Sequence, residues 1–254
     1  MPLMTQLFSD MTEAGSDPGV KGVIITGAGK YYSAGVDLSA MIKPMAPSKL
    51  VRQIRDSNEK VFLAFINFPK PIVAAVNGPA IGATVTSATL MDGIIASERA
   101  TFSLPFAKLG VPPEGCSSVV FPEKMGESKA QRMLGPENWI PTAAEALDAG
   151  LIDEVVPGEG VEALEARAAE FIRGRIVAGG GRRYVDGEAE RLIKVNAEES
   201  ATLANAFVST PFLEAMYDFN TKRKKSQLAT TFWVAKTTLP LWQPPKIAPS
   251  YAEA

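Results

Sequence analysis

Apolar and polar positions follow two alternating periods through the first third of the chain. Apolar residues recur at helical spacing from Leu3 to Met11 and stop at the turn-forming residues 15–19, which predicts an amphipathic helix ended by a turn. The β-branched run at 23–26 lies between glycines and is typical of a strand buried on both faces. The chain therefore begins with a predicted helix followed by a predicted strand.

The same succession occurs a second time. After a loop from Gly27 to about Met45, a helix is predicted over 48–67 and is closed by Pro69 and Pro71. A second buried strand is predicted over 72–76, and a glycine-bearing turn then leads into small residues that suit a tightly packed helix. Two such units in series indicate an α/β fold with parallel strands.

The second half of the chain is predicted to be mainly helical. Strand-like segments at 93–96 and 101–104 come first, and helices are predicted over 143–149, 161–172 and 186–225. Prolines concentrate towards the C-terminus. Because proline cannot continue a helix, an extended segment is predicted over 226–254.

Composition limits the classes of partner. The chain has 254 residues, 46% of them hydrophobic, which is enough for a large core in one or two domains. A net charge of −2 gives no general attraction to nucleic acid or to anionic membranes. The basic pairs and runs at 182–183 and 222–225 are interpreted as solvated helix faces. With no apolar stretch of about 20 residues and no secretory signal, a soluble intracellular protein is expected.

The content of cysteine and histidine restricts the chemistry further. Cys116 is the one cysteine and there is no histidine. An intrachain disulfide, a structural zinc site and a Ser-His-Asp triad are therefore excluded. Any proton transfer has to use a carboxylate, a lysine, a tyrosine or the single thiol. The segment 27–30, Gly-Ala-Gly-Lys, matches neither nucleotide-binding template. Tyr32 stands where the G-x-G-x-x-G motif requires its third glycine, and Tyr31 stands where a P-loop requires Ser or Thr.

Two glycine-bearing segments and one glutamate remain as candidates. The segments 32–38 and 77–83 each place a glycine where the backbone can approach a ligand. Two converging N–H groups would stabilise an enolate oxygen. Glu114, within Val-Pro-Pro-Glu-Gly-Cys, is the carboxylate best placed by its neighbours. Taken singly, each segment is better explained as an ordinary tight turn, and Glu114 as a solvated turn residue.

In this order the motifs resemble the crotonase (enoyl-CoA hydratase/isomerase) superfamily, and within it the peroxisomal type of Δ3,Δ2-enoyl-CoA isomerase. The resemblance extends from about residue 3 to 225. It is carried by ITGAGKYYSAGVDL at 25–38, KPIVAAVNGPAIG at 70–82, ATFSLPF at 100–106, PEGCSS at 113–118 and VNAEES at 195–200. It implies a crotonase-type ββα spiral core over 1–174, a helical oligomerisation region over 175–225 and a tail over 226–254. The strand that precedes the first helix in family members has no counterpart in this sequence.

The resemblance also implies a site. It assigns the backbone N–H groups of Val36 and Ala83 to an oxyanion hole and Glu114 to the isomerase glutamate. Thr86 and Phe106 stand where hydratases carry their two glutamates. The residues implied to line the CoA-thioester site are Ser33, Ala34, Gly35, Asp37, Leu38 and Gly82.

The implied function is isomerisation of 3-enoyl-CoA to trans-2-enoyl-CoA in unsaturated fatty-acid oxidation, without a metal or other cofactor. The implied assembly is a homotrimer or a dimer of trimers. The compartment would be a peroxisome or mitochondrion in a eukaryote and the cytoplasm in a bacterium. The alternatives are a non-catalytic CoA-binding or interaction module and another crotonase activity such as hydration.

The pKa of Glu114 is subject to two opposing influences in the sequence. The apolar neighbours Val111, Pro112, Pro113 and Val119 would raise it, whereas the predicted helix start at 116–118 would lower it. The sequence leaves the balance between them open.

Overall fold

The structure, a computed structural model, describes residues 2–35, 45–158, 160–177, 184 and 186–252. Its strands are β1 Val23–Thr26, β2 Ile72–Val76, β3 Ala80–Ile81, β4 Gly93–Ser97, β5 Phe102–Ser103 and β6 Glu154–Val156. Its helices are α1 Pro2–Ser16, α2 Pro47–Ile66, α3 Ala83–Thr89, α4 Phe106–Leu109, α5 Ser117–Met125, α6 Glu127–Leu134, α7 Ala143–Ala149, α8 Val161–Val177, α9 Glu188–Phe207, α10 Thr210–Lys222 and α11 Ser226–Trp242.

A parallel sheet forms the centre of the molecule. Its strand order is β1-β2-β4-β6, and each neighbouring pair runs parallel. All five residues of β2 are buried, as are all five of β4. Strands covered on both faces have no solvent-facing positions, which explains why these two segments lack the alternation of a half-exposed strand. The predicted α/β class with parallel strands is confirmed.

The two faces of β2 enter different apolar clusters. Val73 and Ala75 pack with Leu164 and Ala168 of α8 on one side of the sheet. Ile72, Ala74 and Val76 join the larger cluster on the other side, which contains side chains of α2, α3, α5 and α7. The sheet is thus a middle layer between α8 and the body of the protein.

A second, two-stranded sheet leads from the main sheet to the candidate site. Strand β3 pairs in parallel with β5 through Ala80 and Phe102, and through Ile81 and Ser103. Strand β3 follows the carboxyl end of β2 after three residues, and α3 begins two residues later. The carboxyl end of a parallel strand is where open α/β sheets place their ligand sites, and here it is joined to a helix N-terminus.

The C-terminal helices are part of the same body. Helix α9 packs along α2 and contributes Leu192 to the main cluster. Helices α10 and α11 pack against each other around Phe212, Met216 and Phe232. Helix α8 continues to Val177, so the predicted boundary between residues 174 and 175 falls inside this helix.

The predicted extended segment over 226–254 is wrong in its first part, where α11 forms. Ala229, Phe232 and Leu239 are buried on one side of this helix, and their spacing fits a helical period. Pro240 lies in the last turn, so it interrupts little of the helix. The prolines that suggested an extended chain at 244, 245 and 249 all follow the helix end.

Residues after α11 return to the surface formed by α2 and α9. Asn205 of α9 exchanges two hydrogen bonds of 2.9 Å with the backbone of Ile247. The Arg55 guanidinium on α2 donates to the carbonyl of Ala248 at 3.0 Å, and Ser250 donates to the Glu59 carboxylate at 2.8 Å. This segment, residues 243–252, is called the C-terminal strap below.

Most of the other predicted elements are confirmed. The helix at 143–149 has the predicted bounds. The helix predicted at 48–67 is shifted by one residue at each end, and the helix predicted at 161–172 continues for five more residues. The helical stretch at 186–225 is two helices, α9 and α10, because the chain turns at 208–209. None of the helices in the described part of the chain is long and apolar enough to cross a bilayer.

Candidate active site

Glu114 lies in the loop between α4 and α5, and its side chain is turned into the protein. It is 9% exposed. Its Oε2 accepts a hydrogen bond from Nδ2 of Asn58 on α2 at 2.5 Å. The alternative interpretation of Glu114 as a solvated turn residue is therefore wrong.

The loop around Glu114 packs closely on its neighbours. A Cβ at Gly115 would lie 2.5 Å from the ring of Phe62 and 2.7 Å from Oγ1 of Thr86. Gly115 also has φ 66°, a conformation that favours glycine. The loop can approach α2 and α3 this closely because position 115 has no side chain.

The pKa of Glu114 is raised from 4.5 to about 7. Burial away from water is the main cause, and the like charge of Glu199 adds to it, whereas the Asn58 hydrogen bond acts in the opposite direction. Of the two influences that the sequence left open, the apolar surroundings dominate. A carboxyl group with a pKa near neutrality is suited to take up a proton and give it back.

Asn58 is itself held by a polar chain between α2 and α9. Its Oδ1 accepts a hydrogen bond from the Ser200 hydroxyl at 2.9 Å, so the orientation of the amide is defined at both ends. On α9, Asn196 donates to the backbone carbonyl of Glu59 at 2.9 Å. Asn196 and Ser200 are fully buried, which makes these bonds strong constraints on the approach of the two helices.

Glu199 is a second buried carboxylate next to this chain. It accepts hydrogen bonds from the backbone N–H groups of Cys116 at 2.6 Å and Ser118 at 3.0 Å. These N–H groups belong to the start of α5, the predicted helix start that was expected to lower the pKa of Glu114. In the structure they are directed to Glu199 instead.

The two glycine-bearing segments lie side by side. The N–H of Tyr32 donates to the carbonyl of Pro79 at 3.1 Å, and Ser33 pairs with Ala80 in a parallel bridge. Further along, a Cβ at Gly35 would lie 3.4 Å from the Ile81 carbonyl oxygen. The structure therefore brings residues 32–35 alongside residues 79–82.

Within the first of these segments, the N–H of Gly35 donates to Oγ of Ser33 at 3.2 Å, and Ala34 is exposed. The other predicted residues of this segment, Val36, Asp37 and Leu38, lie outside the described residues.

Ala83 is the first residue of α3, and Gly82 precedes it with φ 68° and ψ −135°. A side chain at Gly82 would meet nothing within 4 Å, so the backbone there borders open space. The N–H of a first-turn residue has no acceptor within its own helix. No acceptor for the Ala83 N–H is found elsewhere in the described part of the chain either. This donor is available to a ligand.

Thr86 lies between the start of α3 and the loop that carries Glu114. Its hydroxyl donates to the carbonyl of Ala83 at 3.1 Å. The same hydroxyl oxygen leaves no room for a side chain at Gly115. Thr86 and Phe106 are both buried, at 0% and 4% exposure. Neither position carries a carboxylate, so Glu114 stands next to the start of α3 without an acid at either place.

Sequence reasoning missed Asn58, Ser200 and Glu199 as parts of this arrangement. A signal was present, because Asn58 lies four residues after Ile54 and four before Phe62, both buried. A polar residue within the apolar stripe of a helix has to find a polar partner. Asn196 and Ser200 give the same signal on α9, between Leu192 and Leu203.

The fold and the site together define a class of protein: the chain belongs to the enoyl-CoA hydratase/isomerase, or crotonase, family. The model of that family, described as "Enoyl-CoA hydratase/isomerase", matches residues 2–226. The crotonase fold with a helical C-terminal region is therefore confirmed.

Particular relatives bear the names of isomerases. "Enoyl-CoA delta isomerase 3, peroxisomal" from Mus musculus is 33% identical over 233 residues, which cover 88% of this chain and 72% of the mouse protein. "Enoyl-CoA delta isomerase 2" from Rattus norvegicus is 36% identical over 231 residues, covering 87% of this chain and 58% of the rat protein. A crystal structure of an enoyl-CoA hydratase/isomerase from Pseudoalteromonas atlantica T6c matches 87% of both chains with a TM-score of 0.69 and 26% identity.

Proposed function

We propose that this chain converts 3-enoyl-CoA to trans-2-enoyl-CoA, with Glu114 as the group that moves the proton. The observation that carries the proposal is the buried Glu114 carboxyl, with a pKa of about 7, in a loop packed against the first turn of α3. The free N–H of Ala83 begins that turn. A proton carrier and an oxyanion donor are the two components that the reaction requires.

The reaction needs no net gain or loss of protons. The Glu114 carboxylate removes a proton from C2 of the substrate. The electrons of that C–H bond form a C1=C2 double bond and the carbonyl π electrons move to the thioester oxygen, which gives a dienolate that still contains C3=C4. The negative charge accumulates on the thioester oxygen, which accepts from the N–H groups of Ala83 and, as the family resemblance implies, Val36. The protonated Glu114 then returns the same proton to C4: the C3=C4 electrons form the new C4–H bond, the C1=C2 electrons become the C2=C3 double bond, and the thioester carbonyl is restored.

Hydration would require a different arrangement. Addition of water to an enoyl-CoA needs one group to activate water and another to protonate C2. Thr86 and Phe106 cannot take either role, since one is a neutral hydroxyl donating to Ala83 and the other is a hydrocarbon ring. Glu199 is occupied by two backbone N–H groups. The geometry therefore favours isomerisation over hydration.

The direct test uses one preparation of purified protein and two substrates. With 3-hexenoyl-CoA, absorbance of the conjugated enoyl thioester should rise. With trans-2-hexenoyl-CoA, formation of 3-hydroxyacyl-CoA should be much slower. Comparable rates in the two assays would contradict the isomerase assignment. Absence of both reactions would instead support a non-catalytic module that binds CoA.

The physiological setting proposed on the same basis is the oxidation of unsaturated fatty acids, in which double bonds at C3 have to be moved to C2.

We also propose a homotrimer or a dimer of trimers, as the resemblance implies. Helix α11 carries large apolar side chains on its surface, including Trp233 at 50% exposure and Leu241 at 87%. Light scattering on the purified protein distinguishes these assemblies from a monomer of 27.1 kDa.

A further inference from the structure

Glu199 is a buried carboxylate to which the proposed reaction gives no task. It is 8% exposed and lies on α9, immediately before the Ser200 that holds Asn58. One carboxylate oxygen accepts from the N–H of Cys116 and the other from the N–H of Ser118. Burial is the largest influence on Glu199 and raises the pKa of its carboxyl group, whereas these two N–H bonds and the dipole of α5 favour its negative charge. Glu199 thus binds the backbone only two and four residues after Glu114.

The backbone that Glu199 binds is held in an unfavourable conformation. Gly115 and Cys116 have φ 66° and 62°, both in the left-handed region. Glycine adopts it freely, but for cysteine it has to be imposed by the surroundings. Two of the hydrogen bonds that hold Cys116 come from α9: its N–H donates to Glu199, and its thiol donates to the carbonyl of Leu192 at 3.3 Å.

The same turn determines where Glu114 lies. The hydroxyl and the N–H of Ser117 donate to the backbone carbonyl of Glu114 at 2.8 and 3.3 Å. A change in the path of residues 115–118 would therefore move Glu114. At the other end of the residue, Ser200 and Asn58 hold its carboxyl group. Two successive residues of α9 thus act on Glu114, Glu199 through the backbone and Ser200 through the side chain.

We propose that Glu199 is a positioning residue for Glu114: by accepting the N–H groups of Cys116 and Ser118, it fixes the left-handed turn that places the proton-carrying carboxyl group. The inference rests on the proposed function of Glu114 as the proton carrier. It assigns Glu199 no contact with the substrate.

The charge of Glu199 has a second effect on Glu114. As a like charge it contributes to the raised pKa of Glu114. Titratable groups near Glu199 include the Cys116 thiol, whose pKa burial raises, and the exposed ion pair of Arg191 with Glu123 between α9 and α5. On α2, the residue that contacts the Glu114 carboxylate is the neutral Asn58.

Two substitutions separate the geometric effect from the effect of charge. Glu199→Asp keeps the charge but is one methylene shorter, so it cannot reach both N–H groups. We expect kcat for 3-hexenoyl-CoA to fall by about 10- to 100-fold, since a misplacement of about 1 Å costs on that order, with KM little changed. Glu199→Gln removes the charge. Its kcat should also fall, and the acidic limb of its pH profile should move to lower pH because the like charge no longer raises the pKa of Glu114.

Glu198→Gln is the matched control. Glu198 precedes Glu199 on α9, is exposed and accepts a hydrogen bond from Tyr251 at 2.7 Å. This variant should keep the kcat and the pH profile of the parent. Thermal unfolding of all three variants shows whether they are folded at the assay temperature. A folded Glu199→Asp or Glu199→Gln variant with parental kcat and pH profile would overturn the proposal.

Two measurements make the outcome independent of turnover. In the unchanged protein, the amide hydrogens of Cys116 and Ser118 should exchange slowly with solvent, and fast exchange of both would contradict the inference even if neither variant folds. Carbon-13 NMR should show the Glu114 carboxyl titrating at lower pH in Glu199→Gln than in the parent. If the parent isomerises nothing but these two results hold, the proposed function fails while the positioning by Glu199 stands.

Discussion

Asn58 and Glu114 share a hydrogen bond of 2.5 Å across 56 positions of the sequence. The bond joins the middle of α2 to the loop before α5. Because Asn58 also accepts from Ser200, its Nδ2 is directed at the carboxylate and cannot rotate away without breaking a second bond. Asn58 therefore fixes the direction of the Glu114 carboxyl group and at the same time lowers its pKa.

Removing the carboxyl function of Glu114 should strongly reduce turnover and leave the fold intact. We expect Glu114→Gln to lower kcat by at least about 10²-fold, the lower end for a positioned acid–base group. Thr86 and Phe106 offer no replacement base. Steady-state kinetics with 3-hexenoyl-CoA measure the effect. Glu127→Gln, on the exposed first turn of α6, is the control and should be fully active; near-parental turnover of Glu114→Gln would refute the assignment.

The pH dependence of kcat/KM should have an acidic limb near pH 7. Glu114 has to be deprotonated to accept the first proton, and its pKa is raised to about 7, so activity should rise with pH through this value. Asn58→Ala removes a hydrogen bond that lowers the pKa, and its acidic limb should move to higher pH. This direction is opposite to the one expected for Glu199→Gln.

Asn205→Ala serves as the control for Asn58→Ala, because Asn205 binds the C-terminal strap and not Glu114. Its acidic limb should coincide with that of the parent. An acidic limb below pH 5 in the parent protein would show that the group responsible is not the buried Glu114.

The N–H of Ala83 can be deleted with little change to the helix. Ala83 is the first residue of α3, where proline is well tolerated because no intrahelical bond is lost. We expect Ala83→Pro to lower kcat by roughly 10²- to 10³-fold, as for the loss of one oxyanion donor elsewhere. Ala83→Ser retains the N–H and should remain active. Circular dichroism has to show an intact fold first; full activity of a folded Ala83→Pro protein would exclude this donor from the reaction.

The raised pKa of Glu114 has a consequence for stability. A carboxyl group that binds its proton more tightly when folded stabilises the protein below its unfolded pKa of 4.5, and this stabilisation is lost as pH rises through about 7. The loss is at most about 3 kcal/mol.

Glu114→Gln has no such titration. Relative to the parent protein, its free energy of unfolding should therefore increase between pH 5 and pH 8. Denaturant unfolding of both proteins at these two pH values measures the difference, and Glu127→Gln should follow the parent. An equal change in the parent and in Glu114→Gln would indicate that the Glu114 pKa is not raised.

The core of the fold could be predicted because its signals are local. The runs at 23–26 and 72–76 are β-branched or small, bounded by turn residues and too short for helices, and both are strands of the parallel sheet. Helix α11 was missed since the prolines after 239 obscured the helical spacing of Ala229, Phe232 and Leu239.

The environment of Glu114 could be predicted only in part. Its loop and the two glycine-bearing segments are evident from composition and order. The partners Asn58 and Glu199 lie on helices whose polar residues are ordinarily solvated, and they reach Glu114 only once α2 and α9 have packed together. Burial is the main cause of the raised pKa of Glu114, and Glu199 occupies the N–H groups at the start of α5 that were expected to lower it.

The C-terminal strap extends this dependence to the end of the described chain. Arg55 of α2 and Ala248 of the strap are 193 positions apart in the sequence, and Asn58 of α2 and Ser200 of α9 are 142 apart. Each pair is nevertheless joined by a hydrogen bond. During synthesis the sheet strands β1 to β6 emerge well before α9 and the strap. A nascent chain should thus acquire its sheet early, while Glu114 stays without its two α9 supports until residues 199 and 200 have left the ribosome.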